Sequence, residues 1–234
     1  MVARQMNQNQ NRNARNARNA GIVCQDAINQ HRAVIVGVGA IGSHLAEMLA
    51  KLGVLRFTLI DPDEIDTVNL GVQGFYEAEV GCLKVRAVAD RLREINSAVE
   101  VHAIAARADA EMFRSSEPCV VFLAVDSITT RTDLYRAISG GLRQTIPVLF
   151  DGRMAAESLQ AFCVNLRERD QRIRYRATLF DAADAYQDGC TSKATIYCAA
   201  MAAAILTALY KRWAMAQEPE FTINVNLATF DVWR

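Results

Sequence analysis

The apolar positions of this chain change rhythm twice before residue 61. Ala33-Val34-Ile35-Val36 is an unbroken apolar run, the pattern of a strand covered on both faces. Ile41, Leu45, Met48, Leu49 and Leu52 then recur at three- and four-residue spacing, which predicts a helix with one face on a sheet. Gly53 stops that helix as a C-cap glycine does, and residues 55–60 form a second apolar run that ends on Asp61. Strand, helix and strand in this order make a β-α-β unit, and residues 21–30 read as a short helix leading into it.

The alternation continues downstream. Residues 83–96 place Val85, Val88, Ala89, Leu92 and Ile95 on one helical face, residues 99–104 read as a third strand, and residues 108–114 as a short helix. Residues 119–125 are a fully apolar fourth strand ending on Asp126, residues 129–139 a helix, and residues 146–150 a fifth strand ending on Asp151. Strands and helices alternating at this length predict an α/β fold, a doubly wound and mostly parallel Rossmann-like sheet whose ligands lie beyond the carboxyl ends of the strands. All three acids are expected on that side. After residue 151 the pattern changes: residues 159–165 alternate only in part and predict an added antiparallel strand, residues 167–176 are polar, and residues 221–227 close as a C-terminal strand. Residues 194–210 are apolar apart from Thr195 and Thr207 and predict a long apolar helix. It is short for a membrane span and rich in small residues, so it is read as a buried or dimer-interface helix.

Between the first strand and the first helix lies Gly37-Val38-Gly39-Ala40-Ile41-Gly42, a G-x-G-x-x-G loop. The first glycine permits a tight turn, the second lets backbone approach a phosphate, and Ala40 and Ile41 open a helix whose N-terminal N–H groups face an anion. Asp61 stands where an acid can hydrogen-bond ribose hydroxyls. In this strand–turn–helix context the motif reads as a nucleotide site, by default for a dinucleotide such as NAD, and the residues after Asp61 must decide which. The loop over residues 61–81 is long for a compact domain, as functional loops are.

Composition sets the class. Hydrophobic residues at 51% with charged residues at 22% suit a globular chain, one domain over residues 21–234 after a disordered polar tail over residues 1–20. The tail holds Arg4, Arg12, Arg15 and Arg18 and no acid, so a neutral chain leaves its body mildly acidic. A nucleic-acid footprint is thus not expected on the body. Six cysteines (24, 82, 119, 163, 190 and 198) form no C-x-x-C pair, so no zinc and no disulfides are expected; with no signal peptide read, the setting is cytoplasmic. His31, His44 and His102 have no spacing that suggests a metal site or a triad.

The ordered set Gly37-Val38-Gly39-Ala40-Ile41-Gly42, Asp61-Pro62-Asp63, Asn69-Leu70 with Gln73, Gly81-Cys82-Leu83-Lys84 and Asp126 resembles the ThiF and MoeB branch of the ubiquitin-activating enzyme superfamily. The match covers roughly residues 18–151, and its specificity comes from the spacing across several motifs. The resemblance argues against NAD. It implies ATP- and Mg2+-dependent adenylation of the C-terminal carboxylate of a ubiquitin-like or sulfur-carrier protein or of a peptide, by a homodimer, with release of pyrophosphate. Carried over, Asp61 would hold the ribose, Lys84 the phosphates and Asp126 the metal. Asn69 and Gln73 would line the phosphate side, Gly39 would give backbone access, and Asp63 counts among the nucleotide-binding residues. The family usually has an arginine just before the Gln73 position; here Val72 stands there. A second family arginine comes from near the N-terminus across the dimer, which singles out Arg18. Cys190, between Gly189 and Thr191, reads either as a nucleophile that accepts the activated carboxylate or as a small residue at a helix start.

Bland readings stand beside these. Lys84 also reads as an exposed helix lysine, and Asp126 as a cap for the helix near Thr129. Two other functions stay open: an NAD-dependent oxidoreductase on the same glycine loop, and a non-catalytic ATP-binding partner, which Val72 favours.

Overall fold

The computed structural model describes residues 15–114, 117–180 and 194–234. One eight-stranded sheet has the order β3-β2-β1-β4-β5-β6-β7-β8. Its strands are β1 (Arg32–Val36), β2 (Arg56–Ile60), β3 (Glu100–Ile104), β4 (Cys119–Leu123), β5 (Val148–Ala155), β6 (Ser158–Asn165), β7 (Thr222–Asn226) and β8 (Asp231–Trp233). The first five pair in parallel, and β6, β7 and β8 add antiparallel. The order runs outward in both directions from β1, so the crevice beyond its carboxyl end is a topological switch point, where such sheets bind ligands.

Helices cover both faces: α1 (Gln25–Ile28), α2 (Ala40–Leu52), α3 (Lys84–Ile95), α4 (Ile128–Gly141), α5 (Arg169–Arg176) and α6 (Ile196–Ala214). Alternate strand residues part to opposite sides, as the period of two requires. Ala33, Ile35, Phe57, Leu59, Phe122 and Phe150 pack under α2, α3 and α6, whereas Val34, Val36, Val121, Leu123 and Leu149 pack under α4 and α5. No helix among the described residues is long and apolar enough to cross a membrane.

Four elements differ from expectation; one is the short helix over residues 108–114, which is a 3-10 helix at Ala110–Phe113. β5 runs on to Ala155, so Asp151 lies inside the strand and not at its end. The sequence pattern stops it at residue 150 because Asp151 and Arg153 look like solvent residues, yet Asp151 pairs with both Arg153 and Arg131 under α4 and α5. Only residues 25–28 of the expected lead-in helix over residues 21–30 are α-helical, beside a 3-10 turn at Ala17–Asn19. β8, three exposed residues, carried no readable alternation.

Candidate functional site

Two of the three loop glycines are dictated by packing. Gly37 has φ +86°, and a Cβ on it would lie 2.6 Å from the Ala124 carbonyl oxygen; one on Gly42 would lie 1.9 Å from the Gly37 carbonyl oxygen. These close approaches press α2 onto β1 and β4. At Gly39 a Cβ would meet only the Gln73 side chain at an ordinary 3.6 Å. Gly39 is also the N-cap of α2 and supplies no side-chain cap, so a 13-residue helix opens on the crest of the loop with its first N–H groups aimed outward.

Asp61 fastens the loop from below. Its Oδ2 accepts from the Val38 N–H at 2.6 Å and its Oδ1 from the Asp63 N–H at 2.9 Å. Burial raises its pKa, against the two N–H bonds and Lys84, which lower it. The Lys84 stem is buried and its Nζ lies 2.9 Å from Asp63 Oδ2. An exposed helix lysine is thereby ruled out for it.

The long loop over residues 61–81 is strapped across the N-terminal half of α2. Asn69 and Asp66 form a capping box: the Asp66 N–H donates to Asn69 Oδ1 at 2.9 Å. Gly74 N–H donates to Ser43 Oγ at 3.0 Å. Gln73 thus comes to rest beside Gly39, and its Oε1 is buried with no hydrogen-bond partner. His44, one residue past Ser43, likewise has a buried Nε2 without a partner, and burial lowers its pKa. Arg91 of α3 locks the strap. It donates to Glu47 of α2 at 2.6 Å, to both oxygens of Glu79 at 2.7 Å and to the Gly74 carbonyl, and it lies 4.9 Å from the Tyr76 ring centroid. Arg91 is not legible in the sequence, because an arginine on the polar face of a helix looks like its neighbours Arg86 and Arg93 until the loop folds back on it.

Asp126 is exposed, two residues before α4, and has no hydrogen-bond or ion-pair partner among the described residues. The cap of α4 is Ser127, whose Oγ accepts from Thr130 N–H at 3.2 Å. Capping is therefore not the work of Asp126. Arg18 sits in the Ala17–Asn19 turn, and neighbouring Arg15 donates to the Ile95 carbonyl at the far end of α3. Gln25 and Asn29 bond Leu52 and Gly53 at the far end of α2, so this segment lies about 20 Å, the length of α2, from the glycine loop of its own chain. Cys190 lies outside the described residues.

A glycine crest at the switch point of a mostly parallel sheet, with α2 opening on it, places the chain among doubly wound α/β proteins. The ThiF family model matches residues 10–234, and the chain belongs to that family. It is similar to molybdopterin-synthase adenylyltransferase of Salmonella typhimurium, 28% identical over 159 residues that make up 67% of this chain and 62% of that protein. It is also similar to adenylyltransferase and sulfurtransferase MOCS3-1 of Zea mays, 36% identical over 122 residues, 47% of this chain and 24% of that one. In fold it resembles E. coli MccB with ATP, at a TM-score of 0.66 and 19% identity over 89% of this chain and 64% of that one. The chain spans less than two thirds of each of these relatives.

Proposed function

We propose that this chain binds ATP with Mg2+ and adenylates the C-terminal carboxylate of a ubiquitin-like or sulfur-carrier protein or of a peptide. A carboxylate oxygen attacks the α-phosphorus, the bond to the β-phosphate breaks, and pyrophosphate leaves with the electron pair. The observation that carries this reading is the orphaned Gln73 Oε1 beside the open crest at Gly39. A buried amide without a partner costs about 1–3 kcal/mol, and a polar ligand at this spot relieves it. The names of the relatives, adenylyltransferases, point the same way.

The residues fit the group in kind. Gly39 and the α2 N-terminus would receive a phosphate, and Asn69 and Gln73 would line it. Asp61, with two N–H bonds already accepted, has lone pairs left for ribose hydroxyls. Lys84, with one of three donors spent on Asp63, would counter phosphate charge. Asp126 would hold Mg2+, which when bound supplies charge neutralisation at the phosphates through an oxygen-rich shell. Val72 supplies no charge, and four of the five N–H donors of Arg91 are spent on Glu47, Glu79 and the Gly74 carbonyl. Arg18 cannot reach its own glycine loop, so in this reading the protein is a homodimer in which the arginine crosses to the other subunit. In this reading the protein works in the cytoplasm.

The test is exchange of labelled pyrophosphate into ATP in the presence of small carrier proteins and peptides with a free C-terminus. Exchange is expected to need Mg2+ and to vanish when the C-terminus is amidated. Exchange that survives amidation, or saturable NAD binding without ATP binding, overturns the reading. Val72 favours one second reading, a non-catalytic partner subunit, for which ATP binds and exchange is absent with every acceptor.

A further inference from the structure

Asp151 does not stand with the other two acids. It is fully buried in the middle of β5, and two arginines converge on it. Arg131 of α4 donates its Nε–H to Oδ1 at 2.7 Å, and Arg153 of β5 donates its Nε–H to Oδ2 at 2.7 Å. Tyr175 of α5 adds its hydroxyl to Oδ2 at 3.0 Å; burial first, and then Asp151, raise its pKa well above the usual value, so it stays a donor.

Arg153 has an evident structural task. Its remaining donors reach the Thr178 carbonyl and Oγ1, each at 3.0 Å, and its guanidinium lies over the rings of Phe162 and Tyr175. One arginine already balances one carboxylate. Arg131, with its side chain 5% exposed, is therefore surplus charge in the core, and an uncompensated buried ion costs several kcal/mol. Its other contacts show where that surplus is used. Arg131 Nη2 donates to the Val125 carbonyl at 2.5 Å and more weakly to the Gly152 carbonyl at 3.3 Å. The Val125 carbonyl belongs to the peptide unit whose nitrogen is that of Asp126. The guanidinium thus grips the backbone from which Asp126 projects, and Asp151 holds the guanidinium from behind. On either side the turn is tied by Ala124 N–H to the Val36 carbonyl at 2.8 Å and by the Ser127 cap.

We propose that Arg131, braced by Asp151, is a positioning residue that fixes the turn after β4 so that Asp126 meets the nucleotide-bound metal. The proposal rests on the reading of Asp126 as the Mg2+ carboxylate. It is physically of the kind in which residues behind a ligand, not the ligand alone, set metal affinity. Sequence alone could not show it, since Arg131 lies within a helix and Asp151 reads as a strand end.

The test is calorimetric ATP binding with and without Mg2+ on the wild type, Arg131→Gln, Arg131→Lys, Asp126→Ala and the double variant Arg131→Gln/Asp126→Ala. Arg131→Gln leaves one arginine to one carboxylate, a balanced core. Arg131→Lys keeps the charge but lacks the planar fork that spans Asp151 and Val125 together. Both are expected to bind ATP alone within about twofold of wild type and to lose about tenfold of the gain that Mg2+ gives. In the Asp126→Ala background Arg131→Gln is expected to change that gain no further, because residues that act through one another are not additive. An intact Mg2+ gain in variants with a lowered thermal midpoint makes Arg131 merely structural and overturns the proposal. If the wild type shows no Mg2+ gain at all, the reading of Asp126 falls and the proposal with it. Should one variant fail to fold, the other decides.

Discussion

Single residues divide here by whether packing or a ligand demands them. A methyl on Gly42 would sit 1.9 Å from a backbone oxygen that cannot move without parting α2 from β1. Gly42→Ala is therefore expected to cost about 2 kcal/mol or more of stability. Gly39→Ala meets only a flexible side chain at 3.6 Å and is expected to cost less stability, yet to weaken ATP by about tenfold or more by filling the crest. Denaturant melts beside ATP titrations separate the two; equal stability losses would contradict the division. His44 gives a pH signature. Burial lowers its pKa below the ordinary 6.5, with Glu47 opposing and Arg91 assisting, and His31 is lowered by burial, Arg167 and Arg56. The unfolded chain takes up these protons first, so stability present above pH 6.5 is lost as pH falls toward the lower folded values. Thermal midpoints taken from about pH 8 to about pH 5 should fall less steeply in His44→Gln than in the wild type, and identical slopes would contradict this.

At the scale of elements, the chain folds a polar loop back over α2, the helix that opens at the glycine crest, and Arg91 holds it there. Arg91→Met removes its bonds to Glu47, Glu79 and Gly74 together. The expected loss is about 2–3 kcal/mol, less than for a fully buried pair because both glutamates keep 22% side-chain exposure. ATP affinity should fall with it, since Gln73 and Asn69 ride on the strap; unchanged affinity in a destabilised variant would separate strap from site. The parallel half of the fold was legible because strands covered on both faces read as unbroken apolar runs, and helices between them repeat at 3.6 residues. β5 past residue 150 was not, because buried Asp151 and half-buried Arg153 satisfy one another, and a hydropathy pattern reads such residues as solvent. Of the site, the glycine loop, Asp61 and Lys84 came from ordered motifs. Arg91 and Arg131 did not, since an arginine inside a helix shows its purpose only when a distant carbonyl or carboxylate arrives beside it.

For the whole molecule, the placement of the N-terminal segment matters most. Arg18 lies at the amino edge of the sheet, a helix length from the glycine loop of its own chain, so a role at the site requires two subunits. Mixing inactive Arg18→Ala with inactive Asp126→Ala should then restore pyrophosphate exchange to about a quarter of wild type, because half the dimers are mixed and each has one complete site. No recovery would return Arg18 to the surface as an ordinary tail arginine.

The central claim, an ATP·Mg site closed by Asp126, is met most directly by calorimetric titration of ATP with and without Mg2+, beside NAD, on wild type and Asp126→Ala. The expected result is that ATP binds the wild type, that Mg2+ tightens it, and that Asp126→Ala abolishes the tightening while leaving the thermal midpoint in place, since the side chain is exposed and unpartnered among the described residues. NAD binding in place of ATP, or a Mg2+ gain that survives Asp126→Ala, would contradict the account.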